Sequence, residues 1–282
     1  MRNHFLRAAT GKALWTPAQI TTALWLDAAD AATVTADGSN LVSQVNDKSG
    51  NSRHFNASAG ARPTYSASTL NGKAVFTYSG SQWLTSISSA ATWNFLHQSG
   101  GAEVIGVWKA GNTSNPNTLY GFWGTNGGTV NSTGAYQRWD DRDSSSFNEA
   151  LIGVAGGNSG FYLDISANSV HTPNNATILG FSFDLGNATA ANKMRHVVNG
   201  TVLAGNNTAA GAALTDGATY TLQLGASGNN VWPLTGYIAE FIVSATQLST
   251  NTRQRIEGYL AHKWGLTANL PAGHPYKSAA PT

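Results

Sequence analysis

Apolar and polar residues alternate with a period of two in several stretches of this chain. Tyr220, Leu222 and Leu224 are set against Thr219, Thr221 and Gln223, and Phe181, Phe183 and Leu185 against Ser182 and Asp184. An extended backbone sends successive side chains to opposite faces, so these stretches predict half-buried antiparallel strands. Residues 236–244 differ. Tyr237, Ala239, Phe241 and Val243 fall on one face, Ile238 and Ile242 on the other. A strand apolar on both faces is predicted to be central and covered on both sides. Turn dipeptides punctuate the pattern: Asp37-Gly38, Asn71-Gly72, Asn126-Gly127, Asn199-Gly200 and Asp216-Gly217. Each tolerates positive φ and suits a two-residue hairpin. Residues 194–203, two β-prone runs around Asn199-Gly200, predict a hairpin with a type I′ turn.

Helix is scarce. Thr16-Pro17-Ala18-Gln19 carries a capping residue, a proline at the first helical position and a glutamine at the third, predicting a turn or two before a strand at residues 23–26. A second helix is predicted over residues 252–263 with Asn251 as its cap. Ile256, Tyr259, Leu260 and Trp264 form one apolar stripe, Gly265 ends the helix and Pro271 prevents its return. With many short strands, dense turns and no internal repeat, the expectation is an all-β, two-sheet antiparallel sandwich with one short C-terminal helix and a short N-terminal helical turn. The expected organisation is an N-terminal arm over residues 1–22, one domain over 23–266, and an extended tail over 267–282.

Composition narrows the function classes. Charged residues are only 11% of the chain and the formal net charge is +2, with no basic stripe for nucleic acid and no basic helix for a membrane surface. No cysteine is present, which excludes disulfides and thiolate metal sites. The N-terminal residues lack the apolar run of a secretory signal, and no apolar window is long enough to insert in a bilayer. The expectation is synthesis in a cytoplasm without export.

Several stretches resemble those of a known family. Trp25-Leu-Asp-Ala-Ala-Asp30 followed by Val45-Asn-Asp-Lys-Ser-Gly-Asn-Ser-Arg-His54 resembles the opening of a laminin-G-like, concanavalin A-like domain common in bacteriophage structural proteins. Val45 stands where related chains carry an aromatic residue. Arg62-Pro-Thr-Tyr65 and Leu70-Asn-Gly-Lys-Ala-Val-Phe76 continue the pattern. The most specific element is the ending, Ile256-Glu-Gly-Tyr-Leu-Ala-His-Lys-Trp-Gly265 with Leu270-Pro-Ala-Gly-His-Pro-Tyr276. The resemblance implies a jelly-roll and a non-enzymatic virion surface protein, in capsid decoration or a tail fibre, assembled in a bacterial host cytoplasm. The arm or the tail would attach it to other virion proteins, in a homo-oligomer, with lectin-like adhesion to a host-surface glycan. A carbohydrate-binding adhesin module of a bacterial surface protein is the alternative reading, and a glycoside hydrolase a third.

Candidate chemistry is sparse. Retaining hydrolysis needs two carboxyl groups about 5–5.5 Å apart. None of Glu103, Glu149, Glu240 and Glu257 has another acid two residues away. Glu240 is expected near a sheet edge or paired with an arginine, and only an acid pair assembled by folding would escape this test. In residues 138–143, Asp140, Asp141 and Asp143 offer oxygen ligands for calcium. Arg138 and Arg142 interleave them, and a salt-bridged turn is the competing reading. Asn46, Asp47 and Asn51 predict a turn capped by its own side chains. For a glycan, Trp123, Tyr136 and Trp139 in the Gly- and Asn-rich middle of the chain are the candidates for an exposed platform. Burial in the core or in a subunit interface competes for each. Trp25, Trp108 and Trp264 are expected in the core.

Overall fold

The computed structural model describes residues 13–98, 100–111, 118–128, 132–141, 150–157, 160–165, 174–184, 186–203 and 216–282. In chain order the strands are β1 (Leu24–Asp27), β2 (Val34–Ala36), β3 (Val42–Val45), β4 (Phe55–Asn56), β5 (Thr64–Leu70), β6 (Lys73–Ser79), β7 (Leu84–Ser86), β8 (Ala102–Ala110), β9 (Thr118–Gly124), β10 (Gly134–Asp141), β11 (Ala150–Gly157), β12 (Gly160–Ile165), β13 (Thr177–Phe183), β14 (Met194–Val198), β15 (Thr201–Leu203), β16 (Gln223–Leu224) and β17 (Thr235–Ser244). A single helical turn, α1 (Ala190–Lys193), precedes β14, and the long helix α2 (Thr250–Trp264) follows β17. Short 3-10 turns include Pro17–Gln19, begun by its proline as expected.

Two antiparallel sheets form the body, as the alternation predicted. One has eight strands in the order β15-β14-β13-β8-β17-β6-β5, with β1 also on β17. The other runs β12-β11-β10-β9-β16-β7-β4-β3-β2. Between them lies an apolar core that includes Phe55, Phe76, Trp108, Phe122, Trp139 and Phe241. A second core fills the outer side of the eight-stranded sheet, where Trp25, Ile105, Val107 and Ile242 meet Ile256, Leu260 and Trp264 of α2. The molecule is thus three layers: sheet, sheet and helix.

β17 sits between both cores, central as predicted, with β8 on one side and β6 and β1 on the other. The faces differ from the simple alternation. The register against β8 shifts between Ile238 and Glu240, so Ala239 is an inserted bulge residue. Ile238, Phe241 and Val243 face the inter-sheet core, whereas Tyr237, Ala239 and Ile242 face the helix. The bulge turns Glu240 toward the helix too.

Other expectations need correction. Residues 219–222 are not strand, because the Thr219 and Tyr220 amides bond to Thr133 and Thr125 carbonyls, and only Gln223–Leu224 joins the ladder. Thr177–Phe183 is buried along its whole length rather than on one face; Leu185 lies outside the described residues. Ser249, not Asn251, caps α2, its Oγ accepting from the Thr252 amide at 3.2 Å. Gly265 ends that helix at φ +73° as expected. Of the five turn dipeptides, Asn71-Gly72 and Asn199-Gly200 have both residues at positive φ, the type I′ signature. Asp37-Gly38 does not, since Asp37 Oδ1 instead takes the Ser39 and Leu41 amides and Asn40 carries the positive φ.

The tail expected to extend over residues 267–282 folds back on its own domain. Leu270 and His274 are buried, and His274 Nε2 lies 3.0 Å from Glu257 Oε2 on α2. Lys277 Nζ donates to the carbonyls of Thr267, Ala268 and Leu270. The Trp15 amide bonds to the Pro281 carbonyl at 2.9 Å, so the start and end of the described chain meet. Residues 1–11 of the expected arm, with Lys12, lie outside the described residues. Gly258 on α2 is the contact that admits the tail: a Cβ there would run into the Tyr276 ring. Gly258→Val is therefore expected to destabilise the fold by about 1–3 kcal/mol through overpacking. Urea denaturation should show the loss, and trypsin should cut near Lys277 faster than in the parent.

Candidate functional site

The sites that the sequence singled out are distributed differently by the fold. Trp123 and Trp139 are fully buried and Tyr136 is 6% exposed. Trp123 points between the sheets, its ring 6.0 Å from Phe181, and donates from Nε1 to Gln137 Oε1 at 3.2 Å. Trp139 is part of the same core. Two of the three platform residues are thus interior, because β9 and β10 each turn one face inward and these indoles are on it. The acidic cluster is also placed otherwise than expected: Arg138 to Asp141 belong to strand β10, not to a turn. Asp140 and Asp141 pair with Leu119 and Thr118 of β9. Asp143 lies outside the described residues. Among the described residues no group of three or more His, Asp or Glu is arranged to hold a metal ion.

The fold does assemble an acid pair. Asp27 of β1 and Glu240 of β17 are directly opposed in the ladder. Lys263 of α2 reaches both, with Nζ 2.6 Å from Asp27 Oδ1 and 2.7 Å from Glu240 Oε2. Lys48 closes the far side, 2.9 Å from Asp27 and 2.7 Å from Asp30. Glu240 also accepts from Trp25 Nε1, Tyr259 Oη and Trp264 Nε1 at 2.7, 2.9 and 2.8 Å. Burial and Asp27 push the Glu240 carboxyl above its ordinary pKa, while Lys263 and its hydrogen bonds pull the other way. Four donors converge on its two oxygens, so it is held as a carboxylate. It is neither at the sheet edge nor paired with an arginine, as the sequence had suggested. Both Glu240 oxygens and both Asp27 oxygens are engaged, by the two lysines, two indoles, the Tyr259 hydroxyl and the Ala29 amide.

The surface chemistry lies across the molecule, on the outer face of the nine-stranded sheet. Residues 225–234 form a closed loop over β9: the Leu234 amide bonds to the Gly225 carbonyl at 2.7 Å, and the Ser227 amide to Val231 at 2.9 Å. β9 makes room with glycines. A Cβ at Gly121 would stand 2.5 Å from the Ser227 nitrogen, and one at Gly124 2.9 Å from the Tyr136 Cβ. Asn230 is anchored by the Gln223 amide group, which accepts its N–H at 2.9 Å and donates to its Oδ1 at 2.6 Å.

Trp232 is the apex of this loop. Its φ is +54°, the left-handed region, and it precedes Pro233. A bulky residue there, before a proline, carries strain of about 1–3 kcal/mol. Three contacts hold it: the Gly121 amide donates to its carbonyl at 2.6 Å, the Arg138 guanidinium lies 4.1 Å from its ring centroid, and the Tyr136 ring meets it edge-on at 5.2 Å. Arg138 is also 5.3 Å from the Tyr136 ring. Arg138 and Tyr136 are largely covered, whereas Trp232 is half-buried and Asn229 and Asn230 are exposed. The outcome is a fixed indole, backed by a cation and a phenol, with amide groups beside it. Tyr136, expected at an exposed platform, is covered and lies edge-on against Trp232. Trp232 was missed. Its signal is the run Ser227-Gly-Asn-Asn-Val-Trp-Pro233, turn chemistry that ends in an aromatic residue.

No protein-family model matches the chain, and no curated protein matches it. Solved structures do resemble its fold. The receptor-binding domain of botulinum neurotoxin mosaic serotype C/D is similar with a TM-score of 0.52 and 12% identity, over 84% of this chain and 50% of that one. A Trypanosoma rangeli sialidase in complex with 2,3-difluorosialic acid is similar with a TM-score of 0.51 and 13% identity, over 85% of this chain and 33% of that one. The CBM40 of a Ruminococcus gnavus IT-sialidase, bound to α2,3-sialyllactose, has a TM-score of 0.46 and 11% identity, over 63% and 92%. The chain therefore spans half of the neurotoxin domain and a third of the sialidase. The likeness is one of fold: a two-sheet jelly-roll sandwich.

Proposed function

We propose that this chain is a non-catalytic carbohydrate-binding module that stacks a sugar ring on Trp232. The observation that carries this reading is the strained, half-buried Trp232, whose ring is fixed by Arg138 and Tyr136. Strain retained in a loop that the core does not require marks a site that the rest of the structure maintains. An indole offers the apolar face that a pyranose C–H surface packs on, and Asn229 and Asn230 beside it can exchange hydrogen bonds with hydroxyls. The sialidase in complex with 2,3-difluorosialic acid shares this architecture over a third of its length, and the architecture hosts many functions. The non-enzymatic reading is supported by the closed Asp27–Glu240 pair, whose oxygens are taken by lysines and indoles.

An array of bacterial and host polysaccharides, followed by calorimetry on the ligands found, tests the proposal. Trp232→Ala is expected to weaken binding by about tenfold or more, since lost stacking of about 1.4 kcal/mol already gives that factor. Its melting temperature should stay near that of the parent, because Trp232 lies outside both cores. Trp139→Ala should instead unfold the domain. Unchanged affinity in Trp232→Ala, or no saturable ligand in the array, would end this reading.

For the place where the module acts, the terminal motifs favour a bacteriophage particle, with a bacterial surface adhesin as the alternative. The folded-back tail makes a particle contact through residues 267–282 a contact of the domain surface, not of a free strand. Purified particles that hold the chain at the copy number of a capsid or tail symmetry would support the virion setting. Its absence from particles would favour the adhesin.

A further inference from the structure

Beside the start of β1 and the end of β17, a cavity of about 290 Å³ opens between three segments. Thr21, Thr22 and Ala23 lead into β1, Asn51 and Arg53 come from the loop before β4, and Ser244, Ala245 and Thr246 follow β17. Its lining residues are two alanines, three threonines, a serine, an asparagine and an arginine, so methyl groups share the wall with the polar atoms, and the Asn51 amide is already spent on the Thr22 and Ala23 carbonyls and the Ser49 hydroxyl. No carboxylate lines it.

Arg53 is set there deliberately by its surroundings. Its guanidinium lies 5.4 Å from the Trp93 ring and 5.9 Å from Phe95, and Nη1 donates to the Ala23 carbonyl at 3.0 Å. The loop that carries it is fixed by two positive-φ residues, Gly50 at +87° and Ser52 at +57°. Asp47 secures that loop, yet its two oxygens are spent on the amides of Trp25, Ser49 and Arg53 and on the Ser49 hydroxyl. Among the described residues Arg62 pairs with Asp37 and Arg253 with Glu257, and both Lys48 and Lys263 have acids. Arg53 has none. A cation backed by aromatic rings, with its fork partly unspent and hydroxyls opposite, matches an oxyanion.

We propose that this cavity is a binding site for a small oxyanion group, a sulfate, phosphate or carboxylate borne on a compact ligand. Arg53 supplies the charge and the fork, and Thr21, Thr22, Ser244 and Thr246 supply hydroxyl donors. A cavity of this size holds the anionic group and part of one ring, not an oligosaccharide. The proposal is independent of Trp232, which lies on the other sheet.

The test uses the full chain, titrated separately with inorganic sulfate, inorganic phosphate and acetate at constant ionic strength, and read by amide chemical shifts. Saturable shifts of residues 21–23, 51–53 and 244–246 are expected, with a dissociation constant of about 1–10 mM for at least one anion. The anion that saturates tells the three sources apart. Arg53→Gln should weaken binding about tenfold or more, and Arg53→Lys, which keeps the charge and loses the fork, should fall between. Thr246→Val, which leaves the Arg53 loop intact, should weaken it severalfold, so the proposal stays testable if Arg53→Gln fails to fold. Linear shifts equal to those of a chloride control, or shifts confined to residues 229–232, would overturn the proposal and leave the Trp232 reading untouched.

Discussion

Lys263→Met is expected to destabilise the domain by about 3–5 kcal/mol at neutral pH, the cost typical of breaking a buried charge pair from one side. Lys263 is the cation shared by Asp27 and Glu240, whose side chains are 5% and 0% exposed. Lys48 would remain on Asp27, but Glu240 would face another carboxylate with only neutral donors left to it. Its pKa, already pushed up by burial and by Asp27, would rise further. Because a raised carboxyl pKa gives stability that is lost as pH increases, the deficit should shrink on acidification. Adding Glu240→Gln to Lys263→Met should restore part of the loss, since the amide keeps hydrogen-bonding capacity without the charge. Urea denaturation at two pH values measures all of this. A deficit below about 1 kcal/mol in the single variant would show that the network is not sealed as its geometry implies.

A second large effect is expected from pH. Glu103 of β8 is 1% exposed. One oxygen accepts from the Leu248 amide at 2.9 Å, and the other has no hydrogen-bond partner. Burial pushes its pKa up to about 7 from the ordinary 4.5, with the Leu248 amide, Arg253 and Arg195 opposing the rise. The native state therefore binds this proton more tightly than the unfolded chain. The resulting stabilisation is full below pH 4.5 and disappears as pH rises through about 7. At about 1.4 kcal/mol per pKa unit, it amounts to about 3 kcal/mol. His97 works in the opposite direction, since burial lowers its pKa and acid then favours unfolding. The Glu103 contribution is isolated by difference. Glu103→Gln should lose the decline between pH 5 and 8 and exceed the parent in stability at pH 8. Parallel stability–pH curves for the two proteins would refute the assignment.

Both effects arise from residues that looked unremarkable in the chain. Glu240 is one acid among apolar neighbours, and Asp27 lies in the short run Trp25-Leu-Asp-Ala-Ala-Asp30. Nothing local connects them to Lys263, which is 236 residues from Asp27. The helix stripe of Ile256, Leu260 and Trp264 was legible, and those three side chains are buried as the spacing predicts. That Tyr259, in the same stripe, would turn its hydroxyl to Glu240 depended on the bulge at Ala239. The capped turn at Asn46, Asp47 and Asn51 was legible for the same local reason as the stripe. Asp47 accepts from amides two and six residues on, and Asn51 donates back to Ser49.

The sequence by itself determined the class of the protein: antiparallel strands, the type I′ hairpin at Asn199-Gly200, and one helix with its αL stop. These follow from interactions between residues a few positions apart, where the period of two, the left-handed tolerance of Asn-Gly and the helical stripe act within each segment. Only the tertiary structure decided which aromatic residues reach the surface and which acids meet. Trp123 and Trp139 went inside because the face a strand turns inward depends on register, which shifts between Gln137 and Arg138, and Trp232 stayed outside on the loop folded over β9. A one-residue insertion exchanges the two faces of everything beyond it, and pairing between strands far apart in the chain is what selects it.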